Sequence, residues 1–202
     1  MNFKMNLSLK RIIYTIIGIF FLGTGVAFIT IAGLGTNPLD ALDEVISNAT
    51  GIAFARITFV AQILMVLISL LLWPKNVGIG TIMAMFLTQV PIDITYHFIS
   101  RSPELLINII FVLLGIILMT FGAGLVIVSG LGMGTYEALT FSIAYRFNLK
   151  FVYTKYILDS IFLILAIIFK GQIGIGTILI YLLSGKLIDF FKNFLETRIN
   201  FD

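Results

Sequence analysis

The side chains whose types and spacing could do chemistry in this chain come in pairs: Asp40 with Glu137, Asp93 with Asp189, Thr81 with Thr177, and Gln62 with Asp159. One member of each pair stands in the first half and the other at the matching place in the second. Carboxylates paired in this way could bind a cation or proton along a central path. Asp40 and Glu137 could equally be helix caps, since Asn37 precedes Asp40 by one turn as Gly134 precedes Glu137, and an acid there satisfies free N–H groups and the positive end of the helix dipole. Asp93 and Asp189 fall roughly 24 Å into their apolar stretches, near the far interface. They read either as interfacial acids, with Lys186 as a local partner for Asp189, or as functional groups. An ionisable side chain at the bilayer centre costs about 2.5–3.5 kcal/mol on insertion scales. Gln62 and Asp159 could hydrogen-bond across the two halves, although Lys155, four residues before Asp159, is the nearer partner. Thr81 and Thr177 follow glycine turns where free N–H groups at a helix start could bind an anion. His97, beside Tyr96, is a polar tip at a helix end or a proton relay. Pro91, two residues before Asp93, could kink its helix and free a carbonyl, and its counterpart is Leu187.

The elements that must hold these groups are apolar. Of 202 residues, 59% are hydrophobic and 11% charged, against about 45–50% and about 25% in soluble domains. A globule this small could not hide that much apolar surface, so the composition excludes a water-soluble enzyme and a disordered chain. There is no cysteine and a single histidine, which removes disulfides, thiolate nucleophiles and Cys- or multi-His metal sites. No motif asks for a cofactor. The net charge of +3 is spread over loops, which suits anionic lipid and not nucleic acid.

Stretches 12–32, 57–73, 77–99, 107–129, 153–169 and 173–192 are near the roughly 20 residues a spanning helix needs. Met1–Arg11, with Lys4, Lys10 and Arg11, could be the front of a secretory signal. The run behind it is long and recurs at 109–129, so a retained helix is expected. Residues 12–42 align with 109–139 and 78–93 with 174–189, matching Gly33 and Gly35 to Gly130 and Gly132, and Gly78 and Gly80 to Gly174 and Gly176. These glycines serve tight turns and close packing. The expected fold is all-α: a single transmembrane domain over 1–202, with internal repeats 12–99 and 107–192 of three spans each and one short broken helix per unit. The first short helix, Pro38–Ala49, should turn Leu39, Leu42, Ile46 and Ala49 to one face and Asp40, Asp43, Glu44 and Ser47 to the other.

If the short helices do not cross, the units are inverted and most Lys and Arg residues face the cytoplasm with both termini. Asp40, Asp43 and Glu44 between 33 and 56 contrast with Arg146, Lys150 and Lys155 between 130 and 155. If they do cross, there are eight passes in parallel units. The charge crowding on 38–49 favours six.

The run Gly33-Leu34-Gly35-Thr36-Asn37-Pro38-Leu39-Asp40-Ala41-Leu42, with Gly78-Ile79-Gly80-Thr81 and Ile92-Asp93, resembles the YczE/YyaS/YitT family of bacterial integral membrane proteins. Members often carry an aromatic residue where this chain has Leu39, and the second copy has Thr135 in place of the proline. The resemblance implies a bacterial inner-membrane location and assigns no activity. From the residues, the leading expectation is a small-molecule or ion transporter with its path between the repeats. The alternative is a membrane scaffold or regulatory protein without a path. An enzyme is not expected, because no nucleophile–base or metal set exists. The partners expected are the lipid bilayer and an unidentified small molecule or ion, with no nucleic acid. A homo-oligomer is left open.

Overall fold

A computed structural model describes residues 8–199. Lys4 and the rest of the first seven residues, on which the signal reading partly rests, lie outside them. The described residues are helical throughout, without strands. In order they are α1 (Leu9–Ala32), α2 (Pro38–Thr50), α3 (Phe54–Leu72), α4 (Ile79–Leu87), α5 (Gln89–Phe98), α6 (Leu105–Ser129), α7 (Thr135–Arg146), α8 (Phe151–Ile168) and α9 (Ile175–Glu196). A 3-10 turn, Pro74–Asn76, joins α3 to α4.

Five stretches, α1, α3, α4 with α5, α6 and α8, are long and apolar enough to cross a bilayer. The expected sixth, 173–192, is the long helix α9, which carries Lys186, Asp189, Lys192 and Glu196 and is less apolar than the others. The third stretch is broken. The chain turns at Thr88, three residues before Pro91, whose ring clashes with the preceding turn and which has no N–H to bond back. With Leu187 in the equivalent place, α9 runs unbroken. Around the bundle a belt of side chains such as Val60, Leu64, Leu67, Leu71, Ile161 and Ile164 points outward, as apolar helices do where the solvent is lipid.

The centre of the bundle is the pair α1 and α6. A β-carbon at Gly25 would strike Gly115 O and Met119 N, and one at Gly18 would strike Gly122 O and Val126 N. Early α1 therefore meets late α6, and the two helices run antiparallel. Four glycines let their backbones touch, the usual way apolar helices gain contact where lipid offers no hydrophobic drive. Gly23 lies against Pro91, and Gly124 lies against Phe191, so α5 flanks α1 as α9 flanks α6. Ser160 meets Tyr181 at 3.0 Å and Tyr156 bonds to Leu182 O at 2.7 Å, which makes α8 antiparallel to α9. Ile180 packs with Val112 and Ile116, so α9 is parallel to α6. The end of α6 and the start of α8 are thus on one side, and α7 between them enters and returns without crossing.

The loops interlock. Leu131 O accepts from Gly80 N at 2.7 Å, and Leu34 O accepts from Gly176 N at 2.8 Å. Gly132 (φ 125°) faces Thr81 and Gly35 (φ 110°) faces Thr177. Only glycine adopts such backbone cheaply, and a side chain there would also meet the threonine hydroxyl.

Candidate functional site

The first turns of α2 and α7 come together. Leu39 of α2 and Leu139 of α7 share a cluster with Met65 of α3, flanked by Tyr136, Leu158 and Phe162. Asp159 sits near the middle of α8, about 12 Å from its first residue at the helical rise. The two short helices therefore begin at the mid-depth of the bundle.

α2 starts there because Asn37 caps it, its Oδ1 accepting from Leu39 N at 2.9 Å, with Pro38 at the first helical position where no N–H is needed. Asn37 Nδ2 also donates to Asp40 Oδ2, and the Thr36 hydroxyl donates to the same oxygen at 3.4 Å. Glu137, one turn into α7, lies against its own N-cap Gly134. Both residues are half-buried. On these non-spanning helices, burial and next the Asp43 carboxylate push the Asp40 carboxyl up to about 7, against the hydrogen bonds from Thr36 and Asn37. Burial likewise raises Glu137, opposed by the Lys155 ammonium.

Beside them, Lys155 Nζ pairs with Asp159 Oδ2 at 3.0 Å. Asp159 is fully buried and Lys155 is 6% exposed. The Tyr136 hydroxyl donates to Asp159 Oδ1, while the Lys155 ammonium lies over the Tyr136 ring, 4.4 Å from its centroid. Asp40 and Glu137 both act electrostatically on Tyr136. Asp40, Tyr136, Glu137, Lys155 and Asp159 thus form one group, drawn from α2, α7 and α8.

Other predicted residues stand elsewhere. Asp93 is exposed on α5 and accepts from Gln89 at 2.7 Å. Asp189, half-buried on α9, lies 3.5 Å from Asn193. Neither joins the central group. The exact repeat of an aspartate placed them at corresponding positions but not at one site. Gln62 is half-buried on α3. Thr81 and Thr177 are fully buried and accept from Gly78 N at 3.2 Å and Gly174 N at 3.4 Å. At each of these helix starts one N–H group that an anion would use, that of Gly80 or Gly176, donates instead to Leu131 O or Leu34 O. His97 is exposed at the end of α5, edge-on to Phe98.

The expected polar face of the first short helix is corrected as well. Asp43 is 2% exposed, whereas Ile46 is 38% exposed, because α2 is wedged between α3 and α8 with Ala41, Asp43 and Val45 inward. Tyr136 was not legible as a site residue. Its one signal is its place, a single residue before Glu137 at the start of a short helix.

The chain matches the model of a family of unknown function (DUF6198) over residues 9–193. The chain belongs to that family. It is 32% identical to "Uncharacterized protein YyaS" of Bacillus subtilis (strain 168), over 92% of this chain and 94% of the relative. It is 29% identical to "Uncharacterized membrane protein YczE" of the same organism, over 93% and 87%. A protein of Haemophilus influenzae is 27% identical over 91% and 84%. The YczE and YyaS matches bear out the resemblance seen in the glycine motifs. No solved structure matches. Apolar helices of spanning length and a relative named as a membrane protein identify a multi-pass membrane protein, with the bilayer as its surroundings.

Proposed function

We propose that this protein is a transporter of the bacterial inner membrane, with both termini cytoplasmic and two inverted three-span units. Its path passes where α2, α7 and α8 meet. The observation that carries this reading is the group formed by Asp40, Tyr136 and Glu137, at the starts of two short helices, with Lys155 and Asp159 of α8. Broken helices meeting at mid-depth from two halves are how many secondary transporters build a binding site. The antiparallel α1 and α6, with Gly18 against Gly122 and Gly25 against Gly115, support the inverted relation. That glycine seam is tight, so the path is assigned to the short helices instead.

Charge narrows the cargo. At the start of α2 the Leu39 N–H is capped by Asn37, and the Asp40 carboxyl stands beside that cap, which leaves little attraction for an anion. Asp40, Glu137 and Asp159 outnumber Lys155. The site suits a small cation, or a small polar solute rich in hydrogen-bond donors, over an anion.

The test is current on solid-supported membranes carrying the reconstituted chain, challenged with alkali cations, guanidinium, choline and small polyamines. A protein-dependent current with at least one probe, reduced tenfold or more in Glu137→Gln, is expected. No current with any probe would favour the scaffold reading.

A further inference from the structure

Between α2 and α3 lies a second polar contact that the central group does not use. Asp43 is 2% exposed. The Thr58 hydroxyl stands close enough to its carboxyl to act as a weak donor, but neither Asp43 Oδ2 nor Thr58 Oγ1, both buried, reaches full hydrogen-bond geometry with any partner. A buried carboxylate oxygen without a full partner is costly, and where native proteins keep one, a bound water, an ion or a functional role accounts for it.

The second half shows what is missing. In the register that aligns Gln62 with Asp159, Thr58 falls on Lys155 and Asp43 on Thr140. The second unit thus carries its own cation, the Lys155 ammonium, on Asp159. The first unit has a hydroxyl at the lysine position and, facing it, an acid with no ion-pair partner among the described residues. The acid has moved from α8 in one unit to α2 in the other, and the built-in ammonium has gone.

We propose that Asp43 and Thr58 bind a monovalent alkali cation, which does for the first unit what the Lys155 ammonium does for the second. The donors are hard oxygens, which suit alkali ions and not soft metals. Among the described residues no three acid, cysteine or histidine side chains stand where they could hold one metal ion, and a single carboxylate is too little charge for a divalent ion of the calcium class. Asp40, close enough to feel the Asp43 charge, adds negative potential. The inference rests on the transporter reading only for its meaning as a coupling or cargo ion, and not for the binding itself.

The test is the thermal unfolding midpoint of the purified full chain in lithium, sodium, potassium or choline chloride at matched ionic strength. A saturable rise of several degrees in at least one alkali salt over choline is expected, since an ion that binds only the folded chain stabilises it. The rise should vanish in Asp43→Asn. In Thr58→Lys it should vanish with the midpoint in choline already raised, because the new ammonium fills the place; this variant decides if Asp43→Asn does not fold. Equal midpoints in all four salts, or an undiminished rise in Asp43→Asn, overturn the site. A midpoint that responds to pH but not to the salt assigns a proton to Asp43 and overturns it too. A salt-specific rise without current on supported membranes would sink transport and leave the cation site standing.

Discussion

Lys155 serves two acceptors at once, the Asp159 carboxylate at 3.0 Å and the Tyr136 ring face at 4.4 Å. Removing only the cation in Lys155→Met leaves Asp159 buried and unpaired, which should cost about 3–5 kcal/mol in detergent unfolding. The double variant Lys155→Met/Asp159→Leu should recover most of that loss, because no lone charge remains. Equal loss in both variants would show that the pair is not what the packing depends on. Asp40 offers a pH test. Its carboxyl is raised to about 7, so the neutral form persists through weak acid and ionises as the pH passes neutrality. A protonated-carboxyl infrared band that fades around that pH and is absent in Asp40→Asn is expected. A band unchanged by the substitution would assign it elsewhere. Sequence spacing exposed the Lys155–Asp159 pair, because residues four apart on a helix always meet. It could not show Tyr136 closing on Asp159 from another helix, a contact decided by tertiary packing. It also turned Asp43 outward, since periodicity gives faces of a helix but not how many of them are covered.

At the level of elements, the glycines were the most legible feature. Apolar runs alone say little about which helix meets which, but a glycine repeated at matching places marks where backbones touch. The α1–α6 crossing is the clearest case. Gly25→Leu would drive a side chain into the Met119 backbone, and overpacking of this sort costs about 1–3 kcal/mol or more, read as a lowered unfolding midpoint. Gly51→Ala, at a helix end with open space around it, should cost less, through its positive φ alone. Similar losses at the two positions would contradict the close crossing. The break at Thr88 was placed only approximately by Pro91, because the ring disturbs the turn before it. The interlocked loops, Leu34 on Gly176 and Leu131 on Gly80, were beyond sequence: carbonyl partners cannot be read from residue type.

For the whole molecule, the proposed inverted units have the short helices on opposite faces, α2 returning to one side and α7 to the other. The exposed ends of these helices suit labelling in a chain without cysteine, and Asn48→Cys and Asn148→Cys are both accessible positions. An impermeant thiol reagent should reach them from opposite sides of sealed vesicles, and same-side labelling would restore the eight-pass arrangement. Ser142, on α7 itself, is unsuitable because it is fully buried against Asn76. The most direct measurement goes to the meeting point itself. In Tyr136→Cys, a small impermeant thiol reagent applied to either face of reconstituted vesicles should react from both sides, as a site opened alternately to each would. Failure to react from either side would mean a dry centre with no route for a solute, and would contradict transport.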